Sequence, residues 1–331
     1  MEEEVVYNTG SLMDEPEDYY PPSPPPYEQV FTMQSGRHIT LQLVGHSPTE
    51  AHHLWNGAKF IADYFEQDPS RVRGRCVLEL GAGAGLPSLV AGILGARKVV
   101  MTDFPDADLV TTMQKNIDRC SRSSASEIVE QQPGKEEEEE EAGRIAQVID
   151  AVGFVWGADP EPLLARLASA PAGTAAAGTS LPNGPARQKG TGEEQRNNLT
   201  SNLAANGRTR QQHGGSISSN DDRFDVLVLA DLLFRHSEHG ALVKTIKETM
   251  RKSRDSVAYV FFTSYRPWKQ HLDMAFFDVA RNAGLQVEQV AERKLEKPLF
   301  DGDPGDLDVQ KTVKGFEVRW ELQDVDAGAV S

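Results

Sequence analysis

Apolar and polar positions along the chain predict strands and helices that alternate. In residues 37–45, Ile39, Leu41 and Leu43 stand at every second position, which is typical of a strand with one buried face. Residues 50–66 carry apolar side chains at spacings of three and four, which predicts an amphipathic helix. Further strands are predicted at 75–80, 98–102, 145–155, 224–230, 257–263, 285–294 and 312–322, and further helices at 86–94, 106–117, 237–251 and 269–283.

This alternation predicts the fold class. Strands followed in turn by helices form a mostly parallel sheet with helices on both faces. Residues 224–230 are almost continuously apolar, as a strand buried on both faces must be. The last two strands have no helix between them, so we expect a hairpin in which one strand is antiparallel. The prediction is an α/β protein with a seven-stranded, doubly wound, Rossmann-like sheet whose last strand is antiparallel.

Three stretches lack the apolar residues that a core requires. Residues 1–35 are acidic and rich in proline, residues 121–143 are rich in Ser and Glu, and residues 157–222 are mostly small and polar. Such segments cannot offset their ordering entropy by burial. We therefore predict an N-terminal tail at 1–35 and one domain at 36–331, interrupted by disordered loops at 121–143 and 157–222.

The composition disfavours several classes of protein. The chain has 34 Lys and Arg against 50 Asp and Glu, a formal net charge of −16, which disfavours nucleic acid because phosphates attract cations. No apolar run is long enough for a membrane helix, and the start of the chain does not resemble a secretory signal. Two cysteines suit a reducing compartment. We expect a cytoplasmic protein, a monomer, with neither a nucleic acid nor a membrane as its partner.

A glycine loop between a predicted strand and a predicted helix is the strongest motif. Its sequence is Glu79-Leu80-Gly81-Ala82-Gly83-Ala84-Gly85. Glycines let the backbone approach a ligand, and the helix N-terminus offers it unpaired N–H groups. A dinucleotide fingerprint needs glycines at relative positions 1, 3 and 6, whereas here they stand at 1, 3 and 5. The Gly-Lys-Ser/Thr ending of a phosphate-binding loop is absent.

Two acidic residues narrow the choice of cofactor. Glu79 would be unfavourable beside a pyrophosphate but favourable beside an ammonium or sulfonium group. S-adenosylmethionine carries both of these cations and no phosphate, so the loop favours it over NAD. Asp103 ends the neighbouring strand, 22 residues after Gly81, where an acid accepts the ribose hydroxyls. The alternative for Asp103 is to cap the next helix, but the glycine loop upstream favours the ribose.

Several motifs along the chain belong together. They are the glycine loop, Asp14-Glu15-Pro16-Glu17-Asp18, His53-Leu54-Trp55-Asn56, Asp103-Phe104-Pro105-Asp106, Val155-Trp156-Gly157, Ala230-Asp231-Leu232-Leu233-Phe234 and His236-x-Glu238-His239. In combination they resemble the seven-strand methyltransferases and, more narrowly, the lysine methyltransferases that act on non-histone proteins. The resemblance covers most of the chain outside 121–143 and 157–222. It implies transfer of methyl groups from S-adenosylmethionine to the N-terminal glycine and the adjacent lysine of translation elongation factor 1-alpha.

The resemblance also implies a role for each site residue. Asp231 is expected to orient the target amine, and Phe234 to wall the methyl channel. Ala230 is expected to touch the cofactor through its backbone. Core packing is the alternative role for Phe234, for Trp55 and for Trp156. The residues expected to bind the cofactor are Trp55, Glu79, Gly81, Ala82, Gly83, Asp103, Trp156 and Ala230.

The sequence leaves other functions open. His236 and His239 have no third ligand suggested nearby, so no metal site is predicted there or elsewhere. One alternative is an N-methyltransferase of a small amine such as nicotinamide. Another is a regulator that binds the cofactor without catalysis. An NAD oxidoreductase is the least favoured, because its third glycine is missing.

Overall fold

A computed structural model describes residues 24–126, 144–169 and 223–321. The strands are β1 (Tyr27–Thr32), β2 (His38–Leu43), β3 (Cys76–Leu80), β4 (Lys98–Asp103), β5 (Ile149–Gly153), β6 (Val226–Ala230), β7 (Val257–Thr263), β8 (Leu285–Lys294) and β9 (Thr312–Trp320). The helices are α1 (Asn56–Gln67), α2 (Leu86–Ile93), α3 (Ala107–Ser126), α4 (Glu161–Leu164), α5 (His239–Thr249), α6 (Gln270–Asn282) and α7 (Leu307–Gln310).

Seven of these strands form one sheet in the order β5-β4-β3-β6-β7-β9-β8. The first five are parallel, and β9 is antiparallel to both of its neighbours. The predicted α/β sheet of seven strands with an antiparallel last strand is thus confirmed. Every residue of β3, β4, β6 and β7 is buried, which accounts for their nearly continuous apolar sequences.

The sheet separates two apolar layers. Val77 of β3 points into the layer beneath α1, α2 and α3, whereas Leu78 points into the layer beneath α5 and α6. Successive strand residues point to opposite faces, so alternate positions of each strand supply the two cores. Each fully buried Val or Leu contributes about 1.5–3 kcal/mol to the free energy of unfolding.

The order of the strands indicates where a ligand-binding crevice lies. The chain runs outward from β3 through β4 to β5 and then returns to β6 on the other side of β3. In open α/β sheets, ligands bind outside the carboxyl ends of the strands where the order reverses. The glycine loop follows β3, Asp103 ends β4 and Asp231 follows β6, so all three lie at this point.

The predicted tail boundary at residue 35 is wrong. Residues 27–32 form β1, which pairs antiparallel with β2 in a separate hairpin. The Tyr27 hydroxyl donates a hydrogen bond of 2.7 Å to the carbonyl of His52, which anchors the strand to the loop before α1. Proline dominates the run just before this strand, whereas β1 gains its order from backbone pairing with β2. Residues 1–23 lie outside the described part.

Parts of both predicted loops are ordered. Helix α3 continues to Ser126, and residues 161–169 form α4 and a short 3₁₀ helix, with Leu163 and Leu164 buried in the second core. The strand predicted at 145–155 begins only at Ile149, after a helical turn. The rest of the loops, 127–143 and 170–222, lies outside the described residues. Among the helices that are described, none is long and apolar enough to span a bilayer.

Candidate functional site

A cavity of about 490 Å³ opens at the carboxyl ends of β3, β4 and β6. A larger surface groove, near α5 and α6, contains none of the predicted site residues. Glu79 is the one predicted site residue that does not line the cavity. The nine that do are Trp55, Gly81, Ala82, Gly83, Asp103, Trp156, Ala230, Asp231 and Phe234.

The glycine loop is a tight turn that only glycine accommodates. Gly81 has a φ of +62°, and a Cβ there would lie 2.5 Å from a methyl group of Leu232. Gly85 has a φ of +81° and begins α2, where a Cβ would meet the sulfur of Met101 at 2.8 Å. Positive φ is costly for residues with a side chain. The turn therefore requires glycine at both positions, and Gly81 brings its backbone to the cavity.

Glu79 differs from the prediction. Its side chain is buried, and its Oε2 accepts hydrogen bonds from both the backbone N–H and the hydroxyl of Ser88, in the first turn of α2. Burial raises the pKa of Glu79 to about 8, although the hydrogen bonds from Ser88 oppose this rise. The carboxyl group thus joins β3 to α2 behind the glycine loop and does not line the cavity.

Asp103 links the glycine loop to the end of β4. Its Oδ2 accepts a hydrogen bond from the Gly83 N–H, and its Oδ1 accepts one from the Phe104 N–H, both 2.7 Å. Burial raises its pKa, and the two hydrogen bonds oppose that rise. The alternative role of helix capping belongs to Asp106, whose Oδ1 accepts from two N–H groups in the first turn of α3. Asp103 therefore keeps its remaining lone pairs for the cavity that it lines.

Asp231 connects three elements. Its φ is +54°, its Oδ1 accepts a 2.8 Å hydrogen bond from the Thr263 N–H, and its Oδ2 accepts one from the Gly57 N–H. A Cβ on Gly57 would lie 2.5 Å from Oδ2, so only glycine allows this approach. Burial raises the pKa of Asp231 to about 7 against these hydrogen bonds. Asp231 thus holds the start of α1 against the end of β7.

Aromatic rings form one side of the cavity. Phe234 and Trp55 line it, with ring centroids 6.3 Å apart and planes nearly parallel at 20°. Tyr265 packs against Trp55 at 5.0 Å, and Phe300 packs against it at 5.7 Å. We call Trp55, Phe234, Tyr265 and Phe300 the aromatic wall. Tyr265 follows β7 at the expected edge, but nothing in the sequence near Phe300 indicates its place.

Trp156 lies on the opposite flank of the loop. A Cβ on Gly81 would be 3.3 Å from its ring, and the tryptophan is only partly buried against the second core. The indole therefore both packs against the core and lines the cavity, and its contact with the cofactor stays a prediction. Many other residues line the cavity, and sequence reasoning gave no site role to the titratable ones among them that include His46, Glu50, His53, Arg235 and Glu238.

The two histidines that were weighed as metal ligands have other partners. The Nε2 of His236 lies 2.8 Å from Asp273 Oδ1 on α6, and the Nε2 of His239 lies 2.8 Å from the carbonyl of Leu233. These contacts hold the segment after Phe234 against α6. They account for both histidines without a metal.

Part of the chain is similar in sequence to a known protein family. Residues 37–151 match a family model described as lysine methyltransferase. Among solved structures, TYW2 of P. horikoshii in complex with MeSAdo has a TM-score of 0.43 and 12% identity, covering 89% of this chain and 72% of that one. The sheet order, the glycine loop and the family match define a Rossmann-like methyltransferase.

Full-length relatives narrow the class further. The protein N-terminal and lysine N-methyltransferase EFM7 of Gibberella zeae is 57% identical over 98% of this chain and 99% of its own length. The protein of the same name from Neurospora crassa is 46% identical over 97% of this chain and 91% of its own. The chain belongs to this family of protein N-terminal and lysine N-methyltransferases.

Proposed function

We propose that this chain transfers methyl groups from S-adenosylmethionine to the N-terminus of translation elongation factor 1-alpha, at the α-amino group of the N-terminal glycine and at the adjacent lysine. We propose further that it acts in the cytoplasm as a monomer. The observation that carries the proposal is that one cavity joins the glycine loop and Asp103 to the aromatic wall. A cofactor and an amine would thus meet in a single enclosed space.

The residues of the cavity suit the cofactor. Asp103 accepts one hydrogen bond on each oxygen, and a carboxylate has about four acceptor sites, so two remain for ribose hydroxyls. The flat indole of Trp156 suits an adenine ring. Between them, the loop from Gly81 to Gly83 would hold the methionine end. S-adenosylmethionine, when bound, would supply a methyl group on a sulfonium. The sulfur would depart as a neutral thioether, so no acid is needed to protonate it.

The chain's own residues would hold the amine and exclude water. An α-amino group has a pKa near 8 and a lysine side chain one near 10.4. Transfer into an apolar site lowers both and exposes the nitrogen lone pair. The rings of Trp55 and Phe234 attract a cationic amine by its charge while it enters. The N-terminal amine is then the easier substrate, because less desolvation is needed to deprotonate it.

The proposed role of Asp231 is to hold the groups of the cavity in place. Each of its two oxygens accepts one hydrogen bond, from Gly57 or from Thr263, which holds the carboxyl group in place. A carboxylate has about four acceptor sites, so the two that remain would orient the amine, whose proton passes to solvent. By tethering α1 to β7, Asp231 fixes Trp55, the residue just before α1, at the cavity. The separation between amine and methyl group depends on this tether, and reacting atoms must approach to about 3–3.5 Å.

The test is methylation of a synthetic N-terminal peptide of elongation factor 1-alpha with labelled S-adenosylmethionine, read by mass spectrometry. We expect label on the N-terminal glycine, less label when that amine is acetylated, and lysine label lost when the lysine is replaced by arginine. Nicotinamide in place of the peptide should accept none. Asp103→Ala should abolish the signal, whereas Asp118→Ala, on the exposed face of α3, should not. An unlabelled peptide, or label on nicotinamide, would refute the proposal.

A further inference from the structure

The proposed methyl transfer assigns no task to three side chains at or next to the cavity. Glu50, His52 and His53 lie in the loop between β2 and α1, and each offers an atom that can bind a metal. These atoms all lie within 4.8 Å of one another. Histidine nitrogens and carboxylate oxygens are the common ligands of zinc and of other late transition metals in proteins.

The distances between the three groups suit a single ion. His52 Nε2 lies 4.0 Å from Glu50 Oε2, and the rings of His52 and His53 are 4.1 Å apart between centroids. Ligands bound tetrahedrally at the usual zinc distances stand about 3.4 Å from one another. Small rotations of the side chains would therefore bring all three onto one ion. His46, whose ring is 5.6 Å from that of His52, lies next to the group.

The backbone of this loop is held in place from several sides. Glu50 has a φ of +65°, one of two positive values among non-glycine residues in the described ranges. The Trp55 Nε1–H donates to the Glu50 carbonyl at 3.0 Å, and the Tyr27 hydroxyl donates to the His52 carbonyl. A strained backbone persists only where its surroundings fix it, and such strain concentrates at functional sites. The three ligands thus start from a preorganised loop.

One imidazole nitrogen of the group is unsatisfied. His52 Nδ1 is buried, and no group in the described part of the chain forms a hydrogen bond with it. A buried polar atom without a partner costs free energy, and native proteins pair the great majority of such atoms. If Nδ1 binds a metal ion, the ion is its partner. If Nε2 binds the ion instead, the ring can rotate and bring Nδ1 to a new partner.

We propose that Glu50, His52 and His53 form a binding site for one divalent transition-metal ion of the zinc, nickel or copper class. Two imidazoles with one carboxylate form a borderline ligand set, which disfavours Ca²⁺ and Mg²⁺ because these ions require mostly oxygen ligands. Three protein ligands leave a fourth position open. Glu50 and His53 also line the cavity, so the ion would lie at its mouth, beside Trp55.

The test uses untagged, full-length protein in two titrations. Zn²⁺ binding is followed by calorimetry, and Cu²⁺ binding by quenching of tryptophan fluorescence, because the Trp55 ring is 5.4 Å from that of His53. We expect one equivalent of tightly bound Zn²⁺ and strong quenching by Cu²⁺. Trp55→Phe should remove most of the quenching and retain Zn²⁺ binding.

Two variants each remove one proposed ligand, and each is expected to stay folded for a different reason. Glu50→Gly suits the positive φ, so it should stay folded, and His52→Ala changes a side chain outside the cavity lining. Each should weaken Zn²⁺ binding at least tenfold, because the loss of a group that only supports a ligand already costs about 10–100-fold in metal affinity. His271→Ala, on the exposed face of α6, should leave it unchanged. No bound Zn²⁺, or equal affinity in Glu50→Gly and the unchanged protein, would overturn the proposal.

Discussion

Replacing Glu79 by glutamine tests whether its carboxyl group serves the fold or the cofactor. One oxygen, Oε2, accepts both hydrogen bonds from Ser88, so the amide oxygen of glutamine can keep both. The substitution therefore removes only the ability to ionise. Because burial raises the pKa of Glu79 from 4.5 to about 8, the native state holds a proton that the unfolded state has lost across this range.

The sign and the size of the effect follow from linkage. Between these two pKa values the native state binds more protons, so the free energy of unfolding falls as the pH rises. A shift from 4.5 to about 8, at about 1.4 kcal/mol per pH unit, amounts to about 5 kcal/mol. Glu79→Gln should thus match the unchanged protein near pH 4.5 and exceed it in stability by up to about 5 kcal/mol at pH 9.

The assay is urea unfolding at several values between pH 5 and pH 9 (about one unit apart), compared as differences between the two proteins. Glu288→Gln, on the exposed side of β8, is the matched control and should give a flat difference. Cofactor affinity, measured by calorimetry, should change little in Glu79→Gln. A flat difference for Glu79→Gln would show that the fold does not raise the pKa of Glu79, and a large loss of affinity would show that the carboxylate serves the cofactor.

Three further substitutions test the cavity. Asp231→Ala removes the acceptors of two backbone N–H groups, so turnover should fall at least about tenfold while calorimetry finds nearly normal cofactor affinity. Unchanged turnover would show that methyl transfer does not depend on the Asp231 tether. Gly81→Ala should cost about 1–2 kcal/mol of unfolding free energy and weaken cofactor binding, whereas Gly240→Ala, whose Cβ has open space, should do neither. Phe300→Ala should raise the KM for the peptide several-fold, because Trp55 loses a ring contact of about 0.5–1.5 kcal/mol; an unchanged KM would separate Phe300 from substrate binding.

Hydrophobic pattern and strand ends were enough to predict the sheet and the part of the cavity that lies at the strand ends. The nearly continuous apolar run 224–230 predicted a strand buried on both faces, and Val226–Ala230 form one. The glycine loop after β3 and Asp103 at the end of β4 had to meet, because the carboxyl ends of adjacent parallel strands lie at the same edge. These inferences hold because they depend on local sequence and on the general geometry of parallel sheets.

The alternation of side chains along β3 already indicates the direction of the Glu79 side chain. Val77 and Glu79 have the same parity along β3, and Val77 belongs to the core beneath α2. Alternation therefore directs the Glu79 side chain toward α2 and not toward the sheet edge. The position immediately before a glycine loop suggests a ligand, but strand parity decides which way the side chain points.

Other features depend on distant contacts that no local pattern contains. Phe300 lies between β8 and β9, yet it packs against His53 at 5.0 Å and against Trp55. Strand β1 follows a run of prolines, and its order comes from pairing with β2 and from the Tyr27 anchor. Such contacts arise only once the sheet has formed, so the sequence around each residue does not indicate them.

The cavity is therefore built from two parts of different origin. The sheet ends supply the glycine loop and Asp103, which a whole class of proteins could use for the same cofactor. The segment from β1 to α1 supplies Trp55 and the loop with Glu50, and it is fixed to the sheet by the Asp231 tether. In the described ranges, the two non-glycine residues with positive φ are Glu50 and Asp231, one on each side of this junction. Because strain is tolerated where a fixed geometry matters, selectivity for the amine and for a metal ion should reside in the N-terminal segment.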